Sequence, residues 1–195
     1  MIITENSRKL TVIYAALGHL LMHMFAAFYF VIVLAIEDVW KFSYDELLNL
    51  WFLGSLLVGI GSLPAGWISD RWSRSGMIAI MFLGLGISSV LCGLSGNKLS
   101  LFISLSLLGL FCSIYHPAGI SWIVNTSKET GRALGFNNIF GGVGIGLGAF
   151  FAGILNTENK FAAAAAAPIF LNLILILSLI ISYYYKLDYA VTLSY

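Results

Sequence analysis

Charge is what this sequence has least of. Asp, Glu, Lys and Arg make up 10% of its 195 residues, against 59% hydrophobic, and the mean hydropathy is +0.93. A soluble domain carries about 25% charge. A surface facing water all round is therefore excluded, and a membrane protein is the first reading. The net charge of +1 excludes nucleic acid as a partner. Cysteine is nearly absent: Cys92 and Cys112 both lie inside apolar runs and lack the spacing of a metal or redox motif. No water-facing segment carries a nucleophile elbow, a metal-ligand cluster or a phosphate loop. No enzyme and no cofactor is therefore expected.

What is present is six long apolar runs, at about 10–36, 46–69, 76–95, 99–124, 131–155 and 161–185. Each can cross a bilayer as a helix of about 20 residues. Their glycines and prolines do not defeat that reading, because membrane helices tolerate both. The first run is too long for a signal-peptide core of about 7–15 residues, so it is expected to stay in the mature protein. An alanine run at 162–167 opens the sixth span and adds no side-chain chemistry. The links EDVWKFSYDE, DRWSRS, SGNK, NTSKETGR and NTENK are short, so neighbouring helices run antiparallel. The fold class is an all-α membrane protein: residues 1–195 form a single six-helix bundle. Arg8, Lys9, Arg71, Arg74, Lys128, Arg132 and Lys186 fall on one side of the bilayer, and Lys41, Lys98 and Lys160 on the other. That asymmetry places both termini in the cytoplasm.

The second and third spans meet in SLPAGWISDRWSRSGMIAI, residues 62–80, a knot of charge between apolar runs. A carboxylate at Asp70 is favourable near the start of the third helix. Arg71 and Arg74 can bond carboxylates or exposed helix carbonyls. With this link the chain resembles the major facilitator superfamily, whose signature here reads roughly Gly-x-Leu-x-Asp-Arg/Lys-x-Gly-Arg-Arg/Lys. Gly66, Ile68, Asp70, Arg71 and Arg74 match it; Ser73 stands for the glycine and Ser75 for the last base. A second stretch, residues 113–155, is similar to the fourth and fifth helices of the fosmidomycin-resistance-like branch. His116, Pro117 and Gly119 match its late fourth-helix element, and Gly131, Arg132 and Gly135 its basic link. Ala149 departs, where many relatives have proline.

The resemblance implies half of a twelve-helix transporter fold, in a bacterial inner membrane. It also implies a cytoplasmic latch at Gly66, Asp70, Arg71, Arg74 and Arg132, and first and fourth helices that line a central cavity. Half a transporter has nothing to rock against. The partners expected besides the bilayer are a second six-helix half, as a homodimer or another chain, or a larger membrane complex. Two functions compete. One is a transporter half moving a small solute; the other is a transporter-derived structural subunit without transport.

His19 and His23 are four apart and share a helix face; His116 comes from the fourth span. Counting about 1.5 Å per residue, His23 falls near the midplane, with the other two somewhat towards the cytoplasm. Ionisable residues at such depth face an interior or water. Three readings stay open: hydrogen-bonding between helices, substrate binding or proton relay, and a three-histidine metal site. The spacing specifies no metal, and none is assigned. Tyr14, Tyr29, Tyr115, Asn137 and Asn138 are candidates for further hydrogen bonds to a solute. Gly144-x-Gly146-x-x-Ala149 fits a dinucleotide pattern but follows no strand, so it is rejected. Gly142 with Gly146, and Gly144 with Gly148, are expected to give two small faces for close helix packing. Trp40, Tyr44 and Trp51, and Trp67, Trp72 and Trp122, read as interfacial belts.

Overall fold

A computed structural model describes residues 5–157, with side chains to residue 154. It is helical throughout, in the order α1 (Glu5–Trp40), α2 (Tyr44–Asn49), α3 (Phe52–Arg71), α4 (Arg74–Gly93), α5 (Lys98–Cys112), a π-helical turn (His116–Ile120), α6 (Ser121–Thr126) and α7 (Thr130–Thr157). Five stretches are long and apolar enough to cross a membrane: Glu5–Trp40, Tyr44–Arg71, Arg74–Gly93, Lys98–Thr126 and Thr130–Ile154. They correspond to the first five expected spans, with the third ending two residues earlier, at Gly93. The sixth, at 161–185, lies outside the described residues.

The ends of the helices follow from local chemistry. α1 stops at Lys41, which takes a left-handed conformation with φ 56° and donates its N–H to the Glu37 carbonyl, the geometry of an αL cap. Ser43 and Glu46 form a reciprocal capping box at the start of α2, and Asn97 and Ser100 do the same for α5. Ser73 caps α4, accepting from the Gly76 N–H at 3.0 Å. The residue that departs from the family signature thus has a structural use, since glycine offers no side-chain acceptor. The run expected as one helix over 99–124 departs from regular α geometry after Cys112. Pro117 has no N–H to donate, and the chain takes up the defect as one π-helical turn.

The bundle interior is filled by Met22, Phe25, Met81, Phe82, Leu85, Leu105 and Tyr115. Ser89, Ser104 and Ser106 are also buried, each hydroxyl donating to the carbonyl four residues earlier, so none is left unpaired in an apolar setting. The outside is apolar too: Phe52, Leu63, Ile87, Ile139 and Phe150 are all exposed. Such a surface suits lipid and not water. Trp67 and Trp72 are exposed near one end of the bundle, as a belt requires, whereas Trp51 and Trp122 are buried in it. Those two pack within the bundle instead, Trp51 beside Tyr29 and Phe30.

α1 and α7 pack against each other along most of their length. Their contact depends on glycine. A Cβ on Gly144 would strike the Leu20 backbone, and one on Gly148 would come within 2.6 Å of the Met24 carbonyl. Gly142 and Gly146, the other expected face, meet no atom within 4 Å. Successive residues turn by about 100° on a helix, so only one of the two glycine faces can look at α1.

Candidate functional site

The long α1–α7 contact brings residues more than a hundred positions apart into one polar cluster. His19 on α1 is 6% exposed. Its Nδ1 is 3.0 Å from the Asn137 carbonyl oxygen and 3.1 Å from the Asn137 amide nitrogen, both on α7. Gly141 makes that approach possible, because a Cβ there would come within 2.6 Å of the imidazole. One turn along α1, His23 Nε2 lies 3.1 Å from His19 Nε2. The third side arrives from the π-helical turn. Tyr115 stacks on His19 with ring centroids 4.7 Å apart and donates its hydroxyl to Asn137 Oδ1 at 2.5 Å. His116 stands edge-on to His19 and His23, with centroids 5.4 and 5.8 Å away.

His19, His23, Tyr115, His116 and Asn137 therefore meet. Asn137 is wholly buried, His23 is half-buried and His116 is exposed, so the cluster is anchored on one side and open on the other. Asn138 does not join it. It follows Asn137 by about 100° of helix rotation and is exposed. Tyr29 is also elsewhere, donating to the Leu47 carbonyl beside α2. The ligand nitrogens of His19, His23 and His116 all lie within 4.8 Å of one another, and no carboxylate or thiol belongs to the group. Sequence spacing specifies no metal, but in space these three residues, among the described ones, are placed so that they could hold one.

The residues of the charged link assemble in part. Asp70 Oδ1 accepts from Arg74 Nη2 at 2.9 Å, and Arg74 Nε donates to Ser121 Oγ at 2.7 Å. Arg74 thus ties the end of α3 to the start of α6. Gly66 sits against Pro117, 3.2 Å from where its own Cβ would be. Arg71 turns aside and lies over the Trp67 ring at 4.3 Å, a cation–π contact. Arg132 pairs with Glu129 at 3.4 Å on an exposed surface and takes no part in the Asp70–Arg74 pair.

Sequence reasoning missed a second feature. A cavity of about 370 Å³ opens between α1, α4 and α5, lined by Phe25, Tyr29, Trp40, Ser89, Cys92 and Leu105 among others. Its small residues, Ser89, Cys92, Gly93 and Ser95, line α4 and the turn after it opposite aromatic side chains of α1. The signal in the sequence was the run of small residues itself; what it faces was not legible there.

The family model for the Major Facilitator Superfamily matches residues 15–192. The puromycin resistance protein pur8 of Streptomyces alboniger is 31% identical over 111 residues, a match covering 55% of this chain and 21% of that protein. The matched part thus spans about a fifth of that relative's length.

Proposed function

We propose that this chain, which belongs to the major facilitator superfamily, forms a six-helix half of a membrane transporter. It moves a small solute once paired with a second half, a second copy or another chain. The proposal includes the fosmidomycin-resistance-like branch, on His116, Pro117 and Gly119. It also includes a bacterial inner membrane with both termini in the cytoplasm, on the distribution of Lys and Arg. In that orientation Asp70 and Arg74 form the latch of the cytoplasmic side, and the histidine cluster is the solute site.

The observation that carries this reading is the half-open state of the cluster. Imidazoles within a membrane bundle need polar partners or water. Asn137 supplies a polar partner to His19, Tyr115 stacks on that ring and holds the Asn137 side chain, and His116 is exposed. A second half would close a wet cavity over that face, as rocking transporters require. The competing reading is a structural subunit of a larger membrane complex, without transport. It draws on Ser73, which caps α4, and on Arg132, which stands apart from the latch pair.

Cysteine accessibility separates the two. His116→Cys is placed in a chain whose Cys92 and Cys112 are replaced by alanine, and intact membranes are treated with a membrane-impermeant thiol reagent. A transporter cavity gives labelling at position 116. An inserted, helical protein that stays unlabelled refutes the transport reading and favours the structural one.

A further inference from the structure

We infer that His19, His23 and His116 form a binding site for one divalent first-row transition-metal ion, of the zinc class, with a fourth coordination position left open. The site is the same one proposed for the solute, and the inference rests on that reading for the aqueous route by which an ion arrives.

The first argument is distance. Two imidazole nitrogens on one tetrahedral zinc, each at about 2.05 Å, lie about 3.3 Å apart. The Nε2 atoms of His19 and His23 are already 3.1 Å apart, joined by a hydrogen bond whose proton the ion would replace. Histidines at i and i+4 share one helix face, a spacing that specifies no metal alone but lets both rings reach one ion. The third nitrogen lies within 4.8 Å of both. His116 is exposed, so rotation of its side chain can close the remaining gap of about 1.5 Å.

The second argument is the tautomer. A carbonyl oxygen only accepts. His19 Nδ1 lies 3.0 Å from the Asn137 backbone carbonyl and 3.1 Å from the Asn137 side-chain nitrogen; in the tautomer with hydrogen on Nδ1 the carbonyl accepts it and the Nε2 lone pair is left for an ion. An outer hydrogen bond of this kind orients metal-bound histidine and raises its basicity. Tyr115 fixes the other side of the arrangement, stacking on His19 and holding the Asn137 amide.

The third argument is ligand chemistry. Three neutral nitrogens with no carboxylate suit zinc, cobalt or nickel and disfavour magnesium and calcium, which take oxygen. Three neutral ligands leave both positive charges uncompensated. The open fourth position then takes water, hydroxide or an anionic group of a solute.

The test uses the full chain in detergent micelles, stripped with a chelator and dialysed against Zn²⁺ with excess Mg²⁺. The expected result is roughly one zinc ion per chain, with an X-ray absorption shell of imidazole nitrogens at about 2.0 Å. The triple variant His19→Gln, His23→Gln, His116→Gln should fall to background. Wild-type protein that binds no more zinc than this variant overturns the inference, as does a shell of oxygen or sulfur donors. Where the variant fails to fold, the wild-type spectrum decides alone. Position 116 labelled by the thiol reagent, with no zinc bound, sinks the metal site and leaves the transport reading standing. Zinc bound with position 116 unlabelled does the reverse.

Discussion

Gly144→Ala and Gly146→Ala make the same chemical change two residues apart on α7, and they should have opposite effects. A methyl group at position 144 runs into the Leu20 carbonyl oxygen, carbonyl carbon and Cα. These are backbone atoms that cannot rotate away, so α1 and α7 must separate. Forcing an extra carbon into a closed contact costs about 1–3 kcal/mol. Alanine's better helix propensity returns about 1 kcal/mol, leaving a net loss of roughly 0–2 kcal/mol. At position 146 the methyl meets nothing within 4 Å, and only the propensity gain of about 0.5–1 kcal/mol remains. The variants should therefore differ by roughly 2 kcal/mol, about thirtyfold in the unfolding equilibrium. Titration with a denaturing detergent in mixed micelles, followed by circular dichroism, measures that difference. Equal effects, or a greater loss at 146, would refute the assignment of the glycine faces.

The same measurement applies at two further places. Arg74→Ala should destabilise more than Asp70→Asn. The first loses both the Asp70 pair and the Ser121 bond; the second loses one ion pair whose carboxylate is 62% exposed, worth less than about 1 kcal/mol. If the proposed latch is right, Asp70→Asn cuts solute uptake while abundance holds; the reverse order of stabilities would show that Ser121 carries none of the tie. Asn137→Leu should cost about 1–3 kcal/mol, because it leaves the buried Tyr115 hydroxyl without its acceptor. Adding Tyr115→Phe to it should recover part of that loss, and a double variant no better than the single would break the link between the two.

Much of this protein could be read from its sequence because the signals are local. Apolar runs of about 20 residues have one stable form in a bilayer, a helix whose backbone bonds close within the segment. The first five spans follow from that alone. Ser43, Asn97 and Ser73 act as caps within three residues of the N–H groups they satisfy. The i,i+4 pairing of Asp70 with Arg74 is equally short in range. Pro117, whose missing N–H interrupts the regular helix, was also visible in the sequence, though the π-helical turn that accommodates it was not.

The site is different. His19 and Asn137 are 118 residues apart and touch only because Gly141, Gly144 and Gly148 let two helices close to backbone contact. Hydrophobic periodicity names the faces of a helix but not which face meets which neighbour, since in lipid every apolar face is acceptable and packing detail decides. Hence Gly142 with Gly146 and Gly144 with Gly148 looked alike in the sequence, and only one pair is used against α1. For the same reason Asn137 and Asn138 were equivalent candidates until the rotation of α7 buried one and exposed the other. The sequence determined that this is a helical membrane protein with histidines inside its apolar runs. Tertiary structure alone decided that the three imidazoles meet, with their nitrogens within 4.8 Å of one another, because that depends on the separation and rotation of α1, α7 and the π-helical turn, quantities that no local stretch of chain encodes.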